Sequence, residues 1–258
     1  MLNSKERCAV FLDIDKTLTS ERFFIPEENI NAIKRAREKG HAVFINTGRS
    51  WGNIPDKLRE QFDVDGIIAG SGAYAVVDDK VIFSRKIPEG TVLKAAEYIF
   101  GHRENWMILE GKEKCFVLCN EKRKAESPQI AVESIEELKL LLENDEIQVI
   151  AVESGVPDEF IAELSDELSF FPMGYYYDCV SKGLNKASGI RTVIDALGIK
   201  RENTIAIGDG GNDIDMIRFA GIGVAMKNAQ PHILEAADYI TDSNTECGVA
   251  KAIEKFLL

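Results

Sequence analysis

The stretch that most constrains the fold is CAVFLDIDKTL, residues 8–18. Cys8 to Leu12 form an apolar run without polar alternation, which predicts a strand buried on both faces of a parallel sheet. Asp13 and Asp15 follow where this strand ends. Because open α/β sheets bind ligands at the carboxyl ends of their strands, the two aspartates indicate a polar site, most plausibly for a cation. Aspartate is also common in ordinary turns, so the pair alone leaves both interpretations open.

Composition and charge describe an ordinary globular chain. The 258 residues are enough for one large domain or two smaller ones, and 45% hydrophobic with 29% charged residues is ordinary for such proteins. The net charge of −12 disfavours binding to nucleic acid or to anionic membranes, so we expect neither as a partner. A phosphorylated substrate would then need a locally positive pocket. No feature of the sequence predicts an oligomeric state.

The cysteines and the first residues predict a cytoplasmic location. The five cysteines are odd in number and include no C-x-x-C pair, which predicts reduced, mostly buried thiols. They are Cys8, Cys115, Cys119, Cys179 and Cys247. The first residues, MLNSKERC, contain no apolar stretch of signal-peptide length, and no segment approaches the length needed to span a membrane.

Residues 1–85 predict the beginning of a doubly wound sheet. A helix begins near Pro26, and Gly40 ends it. Strands are expected at 41–46 and 66–69, followed by a hairpin over 73–85. This β-α-β-α-β order predicts an α/β fold with a doubly wound, Rossmann-like parallel sheet.

Residues 86–177 change in character and predict an inserted α+β cap domain. Helices separated by paired strands favour a small antiparallel sheet there. The expected helices lie at 91–100, from 134 and at 157–168, and the expected strands at 106–110, 115–120, 147–152 and 175–180. Parallel α/β character then resumes, with helices at 187–197 and 213–220, strands at 204–207 and 222–225, and a final helix. The core domain is therefore predicted to comprise 1–85 and 178–258.

A second strand end is also acidic. The predicted strand 204–207 runs into GDGGND, which places Asp209, Asn212 and Asp213 before a helix. Glycines at such a turn allow a ligand to approach the backbone closely. If the strands lie side by side, four side chains converge at one sheet edge: Asp13, Asp15, Thr47 and Asp209. Clustered carboxylates repel one another unless a cation lies among them, and oxygen ligands suit Mg²⁺.

Lys186 lies at the start of the predicted helix 187–197. A cation at a helix N-terminus interacts unfavourably with the helix dipole, at a cost of about 0.3–1 kcal/mol. This cost favours a compensating anion nearby. An exposed lysine that merely precedes the helix is the plain alternative. Lys182 competes for the same role because it is close in the sequence.

With these motifs in view, the chain resembles the haloacid dehalogenase superfamily, and specifically its Cof-like phosphatases. DIDKT matches the family's D-x-D-x-T, NTGR its threonine motif, NKASGI…LGI its lysine motif and IAIGDGGNDIDM its closing acidic motif. Counting back eleven positions from Leu197 selects Lys186 over Lys182. The GDGG stretch does not fit the G-x-G-x-x-G pattern, so a nucleotide-dependent oxidoreductase is disfavoured.

The resemblance implies a role for each matched residue. Asp13 would be the nucleophile that takes the phosphoryl group, and Asp15 would protonate the leaving alcohol and then activate water. Mg²⁺ would be bound by Asp13, the backbone carbonyl of Asp15, and Asp209. Phosphate oxygens would be held by Thr47, the amides of Ile14 and Gly48, Lys186 and Asn212. Asp213 would orient the lysine or the metal shell.

Lys16 departs from the family pattern, which usually has glycine after the second aspartate. The lysine side chain is expected to point to solvent, although it could also add positive charge beside the site. The departure concerns the geometry of this loop.

The spacing of the motifs locates the predicted cap. Asp15 and Thr47 are 32 positions apart, whereas Thr47 and Lys186 are 139 apart, so the large insertion lies between the threonine and lysine motifs. A cap there excludes water and contributes substrate contacts. Charged candidates are Glu110, Lys112, Lys114 and Arg123, but such residues usually form a solvated face. The tyrosines at 175–177 are expected to serve packing.

The leading hypothesis is a Mg²⁺-dependent phosphatase of small phosphorylated metabolites, such as sugar phosphates. A sugar phosphomutase with the same aspartyl-phosphate chemistry is one alternative. A non-catalytic phosphate-binding protein is the other, although all the expected catalytic residue types are present.

Overall fold

The computed structural model describes residues 6–21, 23–118, 124–126 and 128–258. Its strands, numbered in chain order, form two sheets. The first sheet contains β1 (Ala9–Leu12), β2 (Ala42–Asn46), β3 (Gly66–Ala69), β4 (Tyr74–Val77), β5 (Lys80–Ser84), β12 (Thr204–Gly208), β13 (Ile222–Ala225) and β14 (Tyr239–Ile240). The second contains β6 (Met107–Gly111), β7 (Cys115–Leu118), β8 (Ile130–Val132), β9 (Ile147–Glu153), β10 (Leu168–Pro172) and β11 (Tyr176–Ser181).

The helices cover the outer faces of these sheets. They are α1 (Glu27–Glu38), α2 (Asp56–Arg59), α3 (Glu89–Gly101), α4 (Ile135–Leu142), α5 (Asp158–Leu164), α6 (Lys186–Leu197), α7 (Ile214–Phe219), α8 (Pro231–Ala236) and α9 (Gly248–Leu257). In the described part of the chain, none is long and apolar enough to cross a membrane.

The first sheet is doubly wound, as predicted. Its strand order is β14-β13-β12-β1-β2-β3-β4-β5, and the pairs from β14 to β3 are parallel while β4 and β5 are antiparallel additions. Val10 and Leu12 of β1 pack with buried residues of α1 and α9 on one face. Ala9 and Phe11 pack with residues of α6, α7 and α8 on the other. An uninterrupted apolar run fits a strand with two buried faces.

The register of β1 brings the acidic strand ends together. Leu12 pairs with Ile45 of β2 on one side and with Ile207 of β12 on the other. The three strands therefore end at the same level, and the residues that follow them lie at one sheet edge. This confirms the predicted adjacency of the three strands.

The second sheet is a mixed but largely antiparallel layer of order β10-β11-β9-β6-β7-β8. Only the edge pair β7 and β8 is parallel among its described pairings. One face packs on α3, α4 and α5 through a cluster that includes Val92, Leu138 and Phe160. The α+β character predicted for this part of the chain is confirmed.

One predicted helix is too long. The expected helix 157–168 ends at Leu164, and Leu168 begins strand β10, which pairs antiparallel with β11. A short apolar run such as LSFF continues either a helix or a strand equally well, and here pairing with β11 decides. Strand β8 was also not predicted. The last two residues of the expected strand 115–120 lie outside the described part of the chain.

The predicted division into core and cap crosses a strand. Strand β11 belongs entirely to the second sheet, whereas the prediction returned to the core at residue 178. Four of its residues, 178–181, therefore lie in the sheet assigned to the cap. The division into two domains remains a prediction, and we expect the cap to extend to Ser181.

Limited proteolysis tests this division. Lys86 and Lys182 are exposed and lie where the chain passes between the two sheets. Trypsin is therefore expected to cut near both sites before it cuts within either sheet, because locally opening connections are cleaved first. A phosphorylated ligand that bridges both domains should slow both cuts, as followed by mass spectrometry of the fragments. Cleavage confined to the chain termini would indicate one rigid unit.

The thiols fit the predicted reduced state. Cys8, Cys115, Cys179 and Cys247 are free, and the first three are buried. Cys119 lies outside the described residues. Burial raises the pKa of Cys8, Cys115 and Cys179.

Candidate active site

The centre of the site is a buried lysine between two carboxylates. The Lys186 ammonium donates to Asp13 Oδ1 at 2.6 Å and to Asp213 Oδ1 at 2.5 Å. Lys186 is 0% exposed, and both aspartates are buried. Burial alone would lower the pKa of Lys186, but the charges and hydrogen bonds of the two carboxylates raise it. The lysine is therefore held as a cation inside the protein.

Helix α6 places Lys186 in this position. Asn185 caps the helix by accepting a hydrogen bond from the Ser188 N–H at 2.8 Å, so Lys186 is the first helical residue. Lys182, four residues earlier, is exposed and donates to the backbone oxygen of Ser165 at 2.6 Å. The structure thus brings Lys186, and not Lys182, to the acidic strand ends.

Asp209 completes the acidic cluster. Ligand oxygens of Asp13, Asp209 and Asp213 all lie within 4.8 Å of one another. Thr17 donates to Asp209 Oδ1 at 2.7 Å, yet burial still raises the pKa of Asp209 to about 6. Burial also raises the pKa of Asp13, against the opposing effect of Lys186. Three carboxylates face one ammonium, so the cluster carries excess negative charge when all four groups are ionised.

The donor set of this cluster fits a hard divalent cation. Asp213 is fully used, because Lys186 binds one oxygen and the N–H groups of Asp209 and Gly210 bind the other at 3.0 and 2.8 Å. In the described part of the chain, Asp13 Oδ2 and Asp209 Oδ2 have no hydrogen-bond partner. Two free carboxylate oxygens in a region of excess negative charge match what Mg²⁺ requires. The predicted third ligand is a backbone carbonyl, that of Asp15.

The predicted phosphate-binding residues lie beside the cluster. A Cβ atom on Gly48 would lie only 2.7 Å from the Asn212 Nδ2, so a larger residue at this position would displace the Asn212 side chain. Thr47 and Asn212 are buried, and Ile14 begins the turn that follows Asp13. Backbone amides, an amide side chain and a hydroxyl therefore surround the end of β2 and β12. Such donors suit phosphate oxygens.

Asp15 lies at the mouth of the site, apart from the cluster. Its carboxylate accepts from Arg49 Nε at 2.7 Å and from Arg49 Nη2 at 2.8 Å. The Asp15 side chain is mostly exposed, whereas Asp13 is buried. The two aspartates of the D-x-D motif thus lie in different environments, which suits them to different tasks.

Lys16 adopts a backbone conformation that favours glycine. Its φ of 61° lies in the left-handed region, which costs a non-glycine residue roughly 1–2 kcal/mol. Its side chain is exposed, as expected, and its backbone oxygen accepts from Asn228 Nδ2 at 2.9 Å. The left-handed turn gives a physical reason for glycine at this position in relatives, and lysine is accommodated there with strain.

Two hydrogen bonds join the second sheet to the loop that follows β2. Glu110 of β6 accepts from the Ser50 N–H at 3.1 Å, and Gln148 of β9 accepts from the Trp51 N–H at 3.0 Å. Burial raises the pKa of Glu110 in spite of that hydrogen bond. Arg49 belongs to the same loop, so this loop contacts both the second sheet and Asp15.

Asp178 of β11 adds another carboxylate near the phosphate-binding residues. Its Oδ2 lies 3.6 Å from the Cβ position of Gly48. Burial, followed by repulsion from Glu110, raises the pKa of Asp178 to about 8. The described residues provide no hydrogen-bond donor to this carboxylate. Arg49 and Asp178 were not singled out as site residues from the sequence, and the only signal for Asp178 is a lone carboxylate in an apolar strand. Glu110 was among the charged cap candidates, and it is buried and lines the site although such residues were expected to form a solvated face.

A cavity of about 520 Å³ lies between the two sheets and contains this site. From the first sheet it is lined by Asp13, Asp15, Thr47 and Asp209, and from the second by Trp106, Glu110, Tyr176 and Asp178. Of the other charged candidates, Lys112 and Lys114 do not line it, and Arg123 lies outside the described residues. Tyr175 and Tyr176 line the cavity. Tyr176 also packs against the buried cluster that contains Trp106 and Val117, and Tyr177 packs against the cap core, so these two tyrosines have the expected packing role.

The site combines acidic strand ends and a buried lysine, and an α+β layer covers it from above a doubly wound sheet. This is the arrangement of an α/β enzyme of phosphoryl transfer. A family model described as haloacid dehalogenase-like hydrolase matches residues 10–253. The chain belongs to the haloacid dehalogenase-like hydrolases, which confirms the resemblance seen in its motifs.

Relatives of similar length are phosphatases. The chain is 30% identical to the 5-amino-6-(5-phospho-D-ribitylamino)uracil phosphatase YcsE of Bacillus subtilis, over 96% of this chain and 95% of that protein. It is 27% identical to the phosphoglycolate phosphatase of Methanothermobacter thermautotrophicus, over 96% of this chain and 98% of that protein. Among solved structures, the HAD subclass IIB sugar phosphatase BT4131 shares 34% identity, with a TM-score of 0.81 and coverage of 96% and 98%. The chain is therefore a phosphatase.

Proposed function

We propose that this chain is a Mg²⁺-dependent phosphatase of small phosphorylated metabolites that works through an aspartyl-phosphate on Asp13. The observation that carries the proposal is the buried contact of Lys186 with Asp13, 2.6 Å long, beside Asp209 and the phosphate-binding residues. A carboxylate attacks a phosphate dianion only where nearby charges offset their repulsion. Lys186 provides such a charge at the attacking group itself.

In the first step, an Asp13 carboxylate oxygen forms a bond to phosphorus while the bond from phosphorus to the ester oxygen breaks. Asp15, at the mouth of the site, donates its proton to that departing oxygen, so the product leaves as an alcohol. Lys186 and the donors around Gly48 and Asn212 bind the phosphoryl oxygens. A general acid of this kind contributes roughly 10²–10⁴-fold to the rate.

In the second step, the Asp15 carboxylate takes a proton from a water molecule. The resulting hydroxide oxygen attacks phosphorus, the acyl-phosphate bond breaks, and the Asp13 carboxylate is restored as phosphate forms. Asp15 is on the solvent-accessible side of the cavity, where water can reach it. The Asp15 proton is back in place at the end of the cycle.

Mg²⁺, when bound, would neutralise charge on the phosphate. Asp13 Oδ2, Asp209 Oδ2 and the Asp15 backbone carbonyl would hold it, because the two carboxylate oxygens lack partners among the described residues. Asp213 would keep Lys186 and the turn at Asp209 and Gly210 in place through its hydrogen bonds.

The substrate class is inferred from the names of the related phosphatases. The related phosphatases named above act on a ribitylaminouracil phosphate, phosphoglycolate and sugar phosphates, according to their names. We infer a small phosphorylated metabolite, with sugar phosphates as the first candidates. Release of free phosphate distinguishes this activity from a phosphomutase, which would return an isomerised sugar phosphate, and from a protein that only binds phosphate.

Metal removal tests the proposed cofactor. Excess chelator is expected to abolish phosphate release from an aryl phosphate, and added Mg²⁺ to restore it. Mg²⁺ should also raise the thermal unfolding midpoint of the substrate-free protein, because a ligand that binds only the folded state stabilises it. The Asp209→Asn variant should lose this shift, and Asp166→Asn, at an exposed cap position, should keep it. Full activity in chelator would contradict the proposal.

A further inference from the structure

The cap sheet presents alternate residues to the catalytic cavity. Ile108 and Glu110 of β6, Ala151 of β9, and Tyr176 and Asp178 of β11 all line that cavity. Their neighbours in sequence, such as Leu109 and Ile150, pack in the cap core instead. A strand places successive side chains on opposite faces, so this face of the sheet forms the roof of the site.

Three aromatic residues form one end of this roof. The ring centroid of Trp106 lies 6.4 Å from that of Tyr175 and 6.1 Å from that of Tyr176. The centroids of the two tyrosine rings are 5.0 Å apart. All three line the cavity, and we refer to them as the aromatic wall. Tyr175 is 68% exposed, which is unusual for a large aromatic side chain whose only task is packing.

The wall lies at a defined distance from the phosphate end of the cavity. Asp178 marks that end, since its Oδ2 is 3.6 Å from the Cβ position of Gly48. Tyr176 is two residues earlier on the same face, which places it about 7 Å further along the strand. Trp106 is four residues before Glu110, which binds the Ser50 N–H, and so lies about 13 Å from that contact along β6.

Between the wall and the phosphate end, the middle of the roof leaves more space. Ala151 pairs with Ile108 on one side and with Asp178 on the other, and its small side chain leaves room in the middle of the roof. Asp178 has no donor among the described residues. Hydroxyl groups of a substrate would supply the missing donors.

From this arrangement we propose that the aromatic wall binds a planar ring in the leaving group of the substrate. The substrate class is then a phosphomonoester in which a sugar or sugar-alcohol chain separates the phosphate from a flat, ring-shaped group. This inference rests on the proposed phosphatase function. Short esters such as phosphorylated two-carbon acids do not reach the wall, so they gain nothing from it.

Three phosphomonoesters, one without a planar ring and two with one, test the inference. Ribose 5-phosphate carries the sugar spacer alone, while inosine 5′-monophosphate and riboflavin 5′-phosphate add a planar ring to such a spacer. For the unaltered enzyme, kcat/KM is expected to be higher for at least one ring-bearing ester than for ribose 5-phosphate. The Tyr175→Leu variant should reduce this preference about tenfold, as expected for loss of one stacking partner. Tyr175→Phe keeps the ring and should keep the preference.

A binding measurement complements the kinetics. In the Asp13→Asn background, which prevents turnover, riboflavin 5′-phosphate should bind more weakly after Tyr175→Leu, and its fluorescence should be less quenched. Equal kcat/KM values for ringed and ringless esters, or a preference that Tyr175→Leu leaves unchanged, would overturn the inference while the phosphatase function stands. Failure to release phosphate from any phosphomonoester, and from acetyl phosphate as well, would overturn the proposed function and the inference with it.

Discussion

The Asp13→Asn variant is expected to lose at least about 10⁴-fold in kcat/KM, comparable to removing the nucleophile of other enzymes with covalent intermediates. An amide is too weak a nucleophile to form the acyl phosphate, because its oxygen carries no full negative charge and its nitrogen lone pair is delocalised into the carbonyl. Initial rates of phosphate release from an aryl phosphate measure the loss. Acid-quenched unaltered enzyme should carry covalent phosphate, and the variant should carry none.

The fold should survive this change. Asparagine has nearly the size of aspartate, and the contact of Lys186 with Asp213 remains. Thermal unfolding followed by circular dichroism should therefore show a midpoint close to that of the unaltered protein. Asp166→Asn changes an exposed cap carboxylate in the same way and should leave the rate unchanged. Normal turnover by Asp13→Asn would remove Asp13 as the nucleophile.

The second large effect is expected from Lys186→Ala. Removing an ammonium that contacts the attacking carboxylate should lower kcat/KM by about 10²–10³-fold, as the loss of a preorganised charge does in other enzymes. The loss should be similar for all phosphomonoesters, because Lys186 contacts the attacking carboxylate of Asp13 and not the cap. The same change leaves Asp13 and Asp213 buried without their cation, which costs the folded state about 3–5 kcal/mol.

Lys182→Ala is the matched control. Lys182 is exposed, and the hydrogen bond of its side chain goes to the backbone oxygen of Ser165, so the variant's rate and stability should change little. Lys186→Met keeps the length of the side chain and removes only the charge, so it serves where the alanine variant is too unstable to assay. Loss of activity in the Lys182 variant, with the Lys186 variants active, would show that the lysine motif had been assigned one helical turn away.

The sequence predicts the core sheet well because its strands are short, continuous apolar runs. Burial on both faces keeps β1, β2 and β12 apolar except at the terminal residues Asn46 and Thr204, so the runs and their polar ends are visible in the sequence. The same ends mark the candidate site. The helix at Lys186 was also placed to within one residue, since Asn185 and Gly198 form recognisable caps.

The cap was predicted less accurately, for physical reasons. Leu168 to Pro172 is apolar over too short a distance to distinguish a strand from a helical continuation. Asp178 and Glu110 were not identified as buried site residues, because their burial depends on two sheets that meet across a cavity. Such contacts are not local in the sequence. Tyr175 to Tyr177 illustrate the same limit, because only strand register determines which ring faces the cavity.

The central position of β1 affects how the polypeptide acquires its structure. Ala9 pairs with Thr204, and the Asp13 N–H donates to the Ile207 carbonyl, so the first strand is flanked by one of the last to leave the ribosome. Pairing across such a separation is entropically costly and slow, whereas the hairpin β4–β5 and the cap sheet join residues much closer together. The nascent chain can thus build the cap while β1 still lacks its second neighbour. Closure of the β1–β12 ladder brings Asp209 and Lys186 to Asp13, so catalytic competence arises only once β12 has been synthesised.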